Sequence, residues 1–574
     1  MTTTDKRSVQ ILTSLLAAHG ITDAVVSPGT RNVPIVMSLK RCPSITTHCV
    51  IDERSAAFIA LGIADISARP VALVCTSGTA LLNYAPAVAE AYYRHIPLIV
   101  ISADRPVEWI DQDDSQTLRQ PGALANFTKA SFNIAYDTPT DTQQWYINRR
   151  INDAILCAMS GARGPVHINI SLDEPLNGTI DTCRAITPDN ARRISLTEPT
   201  PTLSADDARK LAEELSGRRV MVIVGFHAPD TRLNEALKLW SDIPGVVIMH
   251  EAQSNLRHSS FIDNIDGTLS RLPASTDAPE ETLRPDIIIT MGGSLVSRMI
   301  KRHLRRYRDS DTEHWSIGLH DHAIDCFKGL LTRRIAIDEA AFAADVFKHI
   351  TPGQATPQAT LFDELYSNAS ALAHREAYAM AQSAPWTDFV AFSIIAASVP
   401  ADCNVQVSNG TAIRYMQLFA TDGMRRIDCN RGVSGIDGCT STAIGASLAH
   451  TSGSTLLITG DMSAQYDLGA LASTLLTPRL KIIVINNGGG GIFRFIPSTR
   501  DLPERESILS GNVNLPLEHL AEAFDFAYNK ATDRPSLITA LDDMYSQSAR
   551  PAILEVVTPP DISTDILDAY FSAQ

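Results

Sequence analysis

The sequence predicts an α/β protein made of three doubly wound parallel-sheet domains, and three observations carry that prediction. The runs "DAVVSPG" (23–29), "VALVCTSG" (71–78), "PLIVISAD" (97–104) and "PVHINISL" (165–172) read as short strands with little polar alternation. Such strands belong to a parallel sheet covered on both faces. Helical spacing fills the gaps, as in "TALLNYAPAVAEAYYR" (79–94), where Leu, Ala, Val and Tyr recur on one face. The pattern then returns twice, in "RRVMVIVG", "GVVIMHE" and "PDIIITMGG", and again in "NVQVSNG", "STLLITGD", "LKIIVINN" and "PAILEVV".

A chain of 574 residues is too long for one hydrophobic core. The expected domains are 1–185, 205–345 and 385–574. The stretch 186–207, rich in Pro, Thr and charge, reads as a linker, and helical patterning replaces strands over 343–385. No run of eighteen apolar residues exists, and "MTTTDKRSVQILTSLL" lacks the layout of a secretory leader. Nine Cys without metal-ligand spacing read as reduced thiols, so a cytoplasmic location is expected. A formal charge of −15 disfavours nucleic acid as a partner. Basic groups therefore matter only where they gather, around Arg31, Arg105, and Arg425–Arg426 with Arg431.

Two stretches do not look like core filling: "ITGDMSAQYD" (458–467) and "VINNGGGGIF" (484–493). In open parallel sheets ligands sit beyond the carboxyl ends of strands. Asp461 and Asn486–Asn487 would share that edge if residues 463–480 form a helical crossover packed through Leu468, Leu471, Leu475 and Leu476. A carboxylate, an amide oxygen and a backbone carbonyl make a hard donor set suited to Mg²⁺ or Ca²⁺. The glycine run would admit backbone conformations closed to other residues and offer N–H donors to a diphosphate. Taken singly, each stretch is also a helix cap or an Asn–Gly turn. No GxGxxG follows a strand here, so a dinucleotide fold does not fit.

"GDMS" followed by "NNGGGG" resembles the motif of thiamine-diphosphate-dependent enzymes. The resemblance implies that Asp461, Asn487 and the Gly489 carbonyl hold Mg²⁺, with Mn²⁺ as the second candidate, and that Gly460, Met462 and Ser463 lie at the cofactor. Met462 departs from the glycine common at its position. The cofactor's aminopyrimidine needs a carboxyl group at its ring nitrogen, and "THCVIDERSAAFIALGIA" (47–64) offers Glu53. By itself Glu53 is an ordinary first-turn residue, favoured by the helix dipole, with Asp52 as local support. Ala56, Ala57, Ala60, Gly62 and Ala64 would let another backbone come close, that of a second subunit included. The family implies active sites at the interface of a homodimer at minimum, with a homotetramer as the alternative.

Arg31, Arg105, Arg414 and Arg431 all fall near strand ends of an acidic chain. Arginine presents a rigid fork to carboxylates, so the set suits two anionic substrates, although each one alone could be a surface ion pair. "SPGTRN", "SADRPVE", "QTLRQPG" and "NRGVSGIDG", together with "DERSAAFIALGIA", "TSGTA" and "NNGGGGIF", resemble the menaquinone-pathway 2-succinyl-5-enolpyruvyl-6-hydroxy-3-cyclohexene-1-carboxylate synthase family. That resemblance implies decarboxylation of 2-oxoglutarate and 1,4-addition of the succinyl unit to isochorismate. It also implies substrate contacts from Arg31, Arg105, Gln116, Arg414 and Arg431, with Thr30 at the pocket. Asn409 and Gly410 would lie at the cofactor, where Gly410 departs from a frequent Ser. Ile436 would wedge the cofactor, and Ile492 with Phe493 would wall it. The alternative is another carboligase or a 2-oxoacid decarboxylase such as acetolactate synthase, with "MVIVGFHAPDTR" and "ITMGGSL" as candidate flavin segments.

Overall fold

The computed structural model describes residues 2–272, 280–319, 323–350, 356–421, 423–511, 513–547 and 549–572. They form two compact units: Met1–Glu198 with Gly432–Thr455 and Tyr466–Leu480, and Pro199–Arg431 with Leu456–Gln465 and Lys481–Gln574.

The first unit is built on a six-stranded sheet in the order Thr46–Cys49, Asp23–Val26, Val71–Cys75, Leu98–Asp104, Val166–Ser171, Ser131–Ile134. Every pairing in it is parallel. Its central strands Val71–Cys75 and Leu98–Asp104 are buried along their whole length, as two covered faces require. Each Val, Leu or Ile so buried contributes about 1.5–3 kcal/mol.

The expected helix over 79–94 is two helices, Thr79–Asn83 and Ala85–Tyr93. Pro86 lacks the N–H that would continue the first helix and instead opens the second.

The Glu53–Ser67 helix begins where Asp52 Oδ1 accepts from the backbone N–H groups of Arg54 (2.9 Å) and Ser55 (3.2 Å). Asp52 is thus the local support expected of it. The backbone that this helix admits is the Cys439–Ala449 helix of the same chain. A Cβ on Gly62 would lie 2.1 Å from the Thr442 carbonyl, and one on Gly445 would lie 2.0 Å from that of Ile59. The small residues serve an intrachain crossing.

In the second unit a five-stranded parallel sheet runs Val246–His250, Val220–Val224, Ile287–Met291, Glu313–Ile317, Leu331–Ile335. The 27-residue helix Pro357–Ser383 buries Phe362, Leu365, Tyr366 and Ala369 against one face of it. That helix occupies most of the stretch expected to lose its strands, of which residues 351–355 lie outside the described set.

The third sheet runs Arg426–Cys429, Asn404–Val407, Thr455–Gly460, Leu480–Asn486, Ala552–Val557, Ala527–Ala531. Numbered within their own sheets, the first and third both read 2-1-3-4-6-5, and the middle one reads 2-1-3-4-5. This shared order fits three distant copies of one plan. Each sheet reverses direction of growth between its first and third strands, the point where open α/β sheets bind ligands.

Between Thr455–Gly460 and Leu480–Asn486 the chain is not the helical crossover expected. A short helix, Asp461–Tyr466, is followed by a 3₁₀ turn, Leu468–Ala472, and of the four leucines only Leu471 is buried. Asp467 diverts the chain there: its buried carboxylate accepts from Ser441 N (2.6 Å) and Ser441 Oγ (2.9 Å), and burial pushes its pKa up to about 7. Among the described residues no helix is long and apolar enough to cross a membrane.

Candidate active site

In the second unit, the ends of Asn404–Val407, Thr455–Gly460 and Leu480–Asn486 carry Asn409–Gly410, Gly460–Asp461 and Asn487. Asp461 is 2% exposed. Its Oδ1 accepts from Met462 N at 2.7 Å and its Oδ2 from Gly489 N at 2.7 Å. Burial raises its pKa, while those N–H groups and the Arg494 charge oppose the rise. Asn487 donates through Nδ2 to Asp388 Oδ2 at 2.8 Å. Asp461 and Gly489 are thus bonded to each other, and Asn487 stands two residues before Gly489 on the same loop. Ser463 is buried beside them, and Gly460 N donates to Ser408 Oγ at 3.3 Å.

The glycine run has a backbone reason. Gly488, Gly489 and Gly490 have φ of 74°, 90° and 39°, three successive positions in the left-handed region. At Gly489 a Cβ would also sit 1.9 Å from the Ser510 carbonyl oxygen. Gly489→Ala is therefore expected to cost about 1–3 kcal/mol in backbone strain alone. It should lower the melting temperature and abolish the stabilisation given by thiamine diphosphate with Mg²⁺, both read in one thermal-shift experiment.

The expectation that this run lends N–H donors to an anion is not met at 488–490. Gly488 N donates to Asn486 Oδ1 (3.4 Å), Gly489 N to Asp461 Oδ2, and Gly490 N to the Met462 sulfur (3.0 Å). Met462 thus has a task that a glycine could not perform. The loop carbonyls are held by Arg494, which donates to Asn487 O (3.3 Å), Gly488 O (3.3 Å) and Gly489 O (2.6 Å). Glu506 anchors that guanidinium from its other side, at 3.1 and 2.9 Å. Gly489 O keeps one lone pair for a cation. Ile492 and Phe493, half-buried, open the short Gly491–Phe495 helix.

Asn409 donates from Nδ2 to Asn430 O (2.6 Å) and accepts through Oδ1 from Arg431 Nη1 (3.1 Å). Gly410 has φ 98° and nothing within 4 Å of a built Cβ, so conformation and not space selects glycine there. Arg414, on the helix that follows, returns to the Gly410 carbonyl. Burial, with the charges of Arg431 and Arg298, pulls Arg414 down to about 10. Arg431 also donates to Leu295 O (3.3 Å), and its buried Nε finds no hydrogen-bond partner among the described residues. Arg298 is a third guanidinium here that sequence reasoning passed over. Two buried carboxylates offset the cluster. Glu251 accepts from Val296 N (2.8 Å), Ser297 N (2.7 Å) and Gln253 Nε2 (2.6 Å), and Asp266 bonds Ser297 Oγ.

The first unit holds the other constellation. Glu53 is half-buried at the start of its helix, and its side chain makes no hydrogen bond among the described residues. Its charge is felt by the buried Cys75 and Tyr84, both pushed up chiefly by burial. Ser27 Oγ, Ser55 Oγ, Thr76 Oγ1 and Tyr84 OH are buried without a well-formed hydrogen bond. They belong to the segments that leave the first and third strands of this sheet, or to helices beside them. Unmet polar atoms near a carboxyl group suit a heterocycle with donors and acceptors on its rim.

Arg31 is buried, donates to Leu172 O (2.9 Å) and lies 3.4 Å from Glu174. Burial and the Arg105 charge lower its pKa. Arg105 pairs with Asp114 (2.7 Å) and donates to Ser115 O (2.9 Å), beside Gln116, whose φ is 56°. Thr30 and Gln116 are exposed, and Ile436 is half-buried. Arg119 does not join them: it is exposed and pairs with Asp111 at 2.7 Å. Arg426 is likewise committed to Asp428 at 2.6 Å.

The flavin segments of the middle sheet close on each other. Gly293 N donates to Phe226 O at 2.7 Å, and a Cβ on Gly225 would lie 2.1 Å from the Gly293 carbonyl. These glycines serve backbone contact.

Residues 6–123 match the model of "Thiamine pyrophosphate enzyme, N-terminal TPP binding domain", and residues 410–556 match that of the C-terminal TPP binding domain. Fold and site together define a thiamine-diphosphate-dependent enzyme. A Porphyromonas gingivalis protein named 2-succinyl-5-enolpyruvyl-6-hydroxy-3-cyclohexene-1-carboxylate synthase is 39% identical, covering 99% of this chain and 97% of its own. Relatives of the same name from Flavobacterium johnsoniae and Flavobacterium psychrophilum are 36% and 37% identical, each alignment covering 98% of both chains. The chain belongs to the 2-succinyl-5-enolpyruvyl-6-hydroxy-3-cyclohexene-1-carboxylate synthase family.

Proposed function

We infer that this protein joins 2-oxoglutarate to isochorismate with loss of CO₂, giving 2-succinyl-5-enolpyruvyl-6-hydroxy-3-cyclohexene-1-carboxylate for menaquinone synthesis. The reading is carried by the cluster of Asp461, Asn487 and Gly489 at a strand-end switch point, taken with the family membership. Those three groups would hold Mg²⁺, or Mn²⁺ in its place, since hard oxygen donors favour such ions. Bound thiamine diphosphate would supply a nucleophilic carbon able to take up and release the succinyl unit.

The protein's own residues account for the rest. Glu53 exchanges a proton through its carboxyl group with the pyrimidine ring, where the buried hydroxyls of Ser27, Thr76 and Tyr84 offer further partners. Arg414 and Arg431 take carboxylates of one substrate, and Arg31 and Arg105, with Gln116 and Thr30 beside them, take those of the other. Arginine forks suit this task because they bind carboxylates in two places at once. Ile436, Ile492 and Phe493 exclude water and so strengthen the charge interactions.

The three sheets support a division into a pyrimidine-binding domain (1–185), a central domain (205–345) and a diphosphate-binding domain (385–574). The pyrimidine and diphosphate residues come from different units of the chain, which suits a homodimer or homotetramer with shared sites, working in the cytoplasm.

The test is incubation of the protein with thiamine diphosphate, Mg²⁺, 2-oxoglutarate and isochorismate, followed by mass analysis. The adduct should appear only with all four present. Turnover with pyruvate alone, or without the ring acceptor, would point to another carboligase or a decarboxylase.

A further inference from the structure

The amide of Asn487 could turn either face toward the Asp461 cluster, and only one face can bind a cation. Asp388, at the start of the Asp388–Ser398 helix, decides between them. It is 2% exposed, and both of its carboxylate oxygens are engaged as acceptors. Oδ2 takes Asn487 Nδ2 at 2.8 Å, and Oδ1 takes the Thr558 hydroxyl. Its own N–H is tied to Ser563 Oγ at 3.0 Å, which fixes the backbone that presents it. A carboxylate accepting through both oxygens can receive the NH₂ of an amide and never its oxygen. Once Nδ2 is committed to Asp388, Oδ1 is the amide atom left for the cluster, and no described residue donates to it.

We propose that Asp388 is a positioning residue that locks the Asn487 amide with its oxygen available to the divalent ion. Thr558 is the brace that keeps the carboxylate in place. The proposal rests on the reading of Asp461, Asn487 and Gly489 as the ion's donors. Partners that orient a ligating side chain from behind typically govern metal affinity by 10- to 100-fold.

Asp388→Leu removes the acceptor while keeping side-chain bulk. Binding of Mn²⁺ in the presence of thiamine diphosphate is followed by the electron paramagnetic resonance of the free ion, with no substrate present. The Mn²⁺ dissociation constant should rise by roughly 10–100-fold, with saturation still reached at high ion concentration. The metal-free melting temperature should change little, which separates orientation of a ligand from general damage. Asp388→Ala, smaller, free of any side-chain acceptor and compatible with a first helical turn, gives the same readout if the leucine variant does not fold. A folded variant binding Mn²⁺ within about twofold of the native protein overturns the proposal. Failure of the native protein to bind Mn²⁺ overturns instead the ion-site reading beneath it, and the proposal with it.

Discussion

Glu53→Gln is expected to lower the rate of product formation by roughly 10²–10⁴, the usual scale for loss of a positioned proton-transfer group. The fold should not suffer, for a reason visible in the structure. Asp52 and not Glu53 caps the helix, accepting from Arg54 N and Ser55 N, and the Glu53 side chain is bonded to nothing among the described residues. Glutamine keeps the shape and the hydrogen-bonding reach and loses only the exchangeable acid proton. Calorimetric titration should therefore find thiamine diphosphate and Mg²⁺ still bound, and the melting temperature should move by little. Unchanged turnover in a variant that binds the cofactor normally would remove Glu53 from its assigned role.

The parts of the candidate site that were legible in sequence are those where local chain geometry and chemistry coincide. Asp461, Asn487, Asn409 and Glu53 each stand just past a strand or at the first turn of a helix, and hydrophobic runs mark such places well. The glycines of 488–490 were legible for the same reason, because positive φ selects glycine locally. Residues that act across long separations gave no such signal. Asp388 stands 99 residues before the amide it holds, in "PWTDF", which looks like an ordinary helix start. Arg494 was within reach of the motif, yet nothing in "GIFRF" says that its guanidinium folds back onto three carbonyls. Periodicity misled over 463–480: four leucines at helical spacing suggested an amphipathic face, but the Asp467–Ser441 bonds outweigh it and the chain turns.

Arg414→Ala is expected to weaken use of the ring acceptor far more than release of CO₂ from 2-oxoglutarate. Arg414 is a largely buried guanidinium, and its own burial, with the charges of Arg431 and Arg298, pulls its pKa down to about 10. Glu251 and Asp266 relieve part of that repulsion without reaching the guanidinium by a direct bond. A group held this way is poised for an anion, and the first bidentate carboxylate to arrive gains both the pairing and the relief. Truncating one partner of a desolvated charge pair costs about 2–5 kcal/mol, so kcat/KM for isochorismate should fall by roughly 30-fold to a few thousand-fold. The substrate-free protein should melt no lower than the native one, since removing one of three mutually repelling cations compensates for the lost bond to Gly410 O. Rapid-quench measurement of CO₂ from labelled 2-oxoglutarate, set beside product formation with isochorismate, separates the two half-reactions. Equal slowing of both would mean that Arg414 serves the donor as much as the acceptor, and the division of labour between the two arginine groups would have to be redrawn.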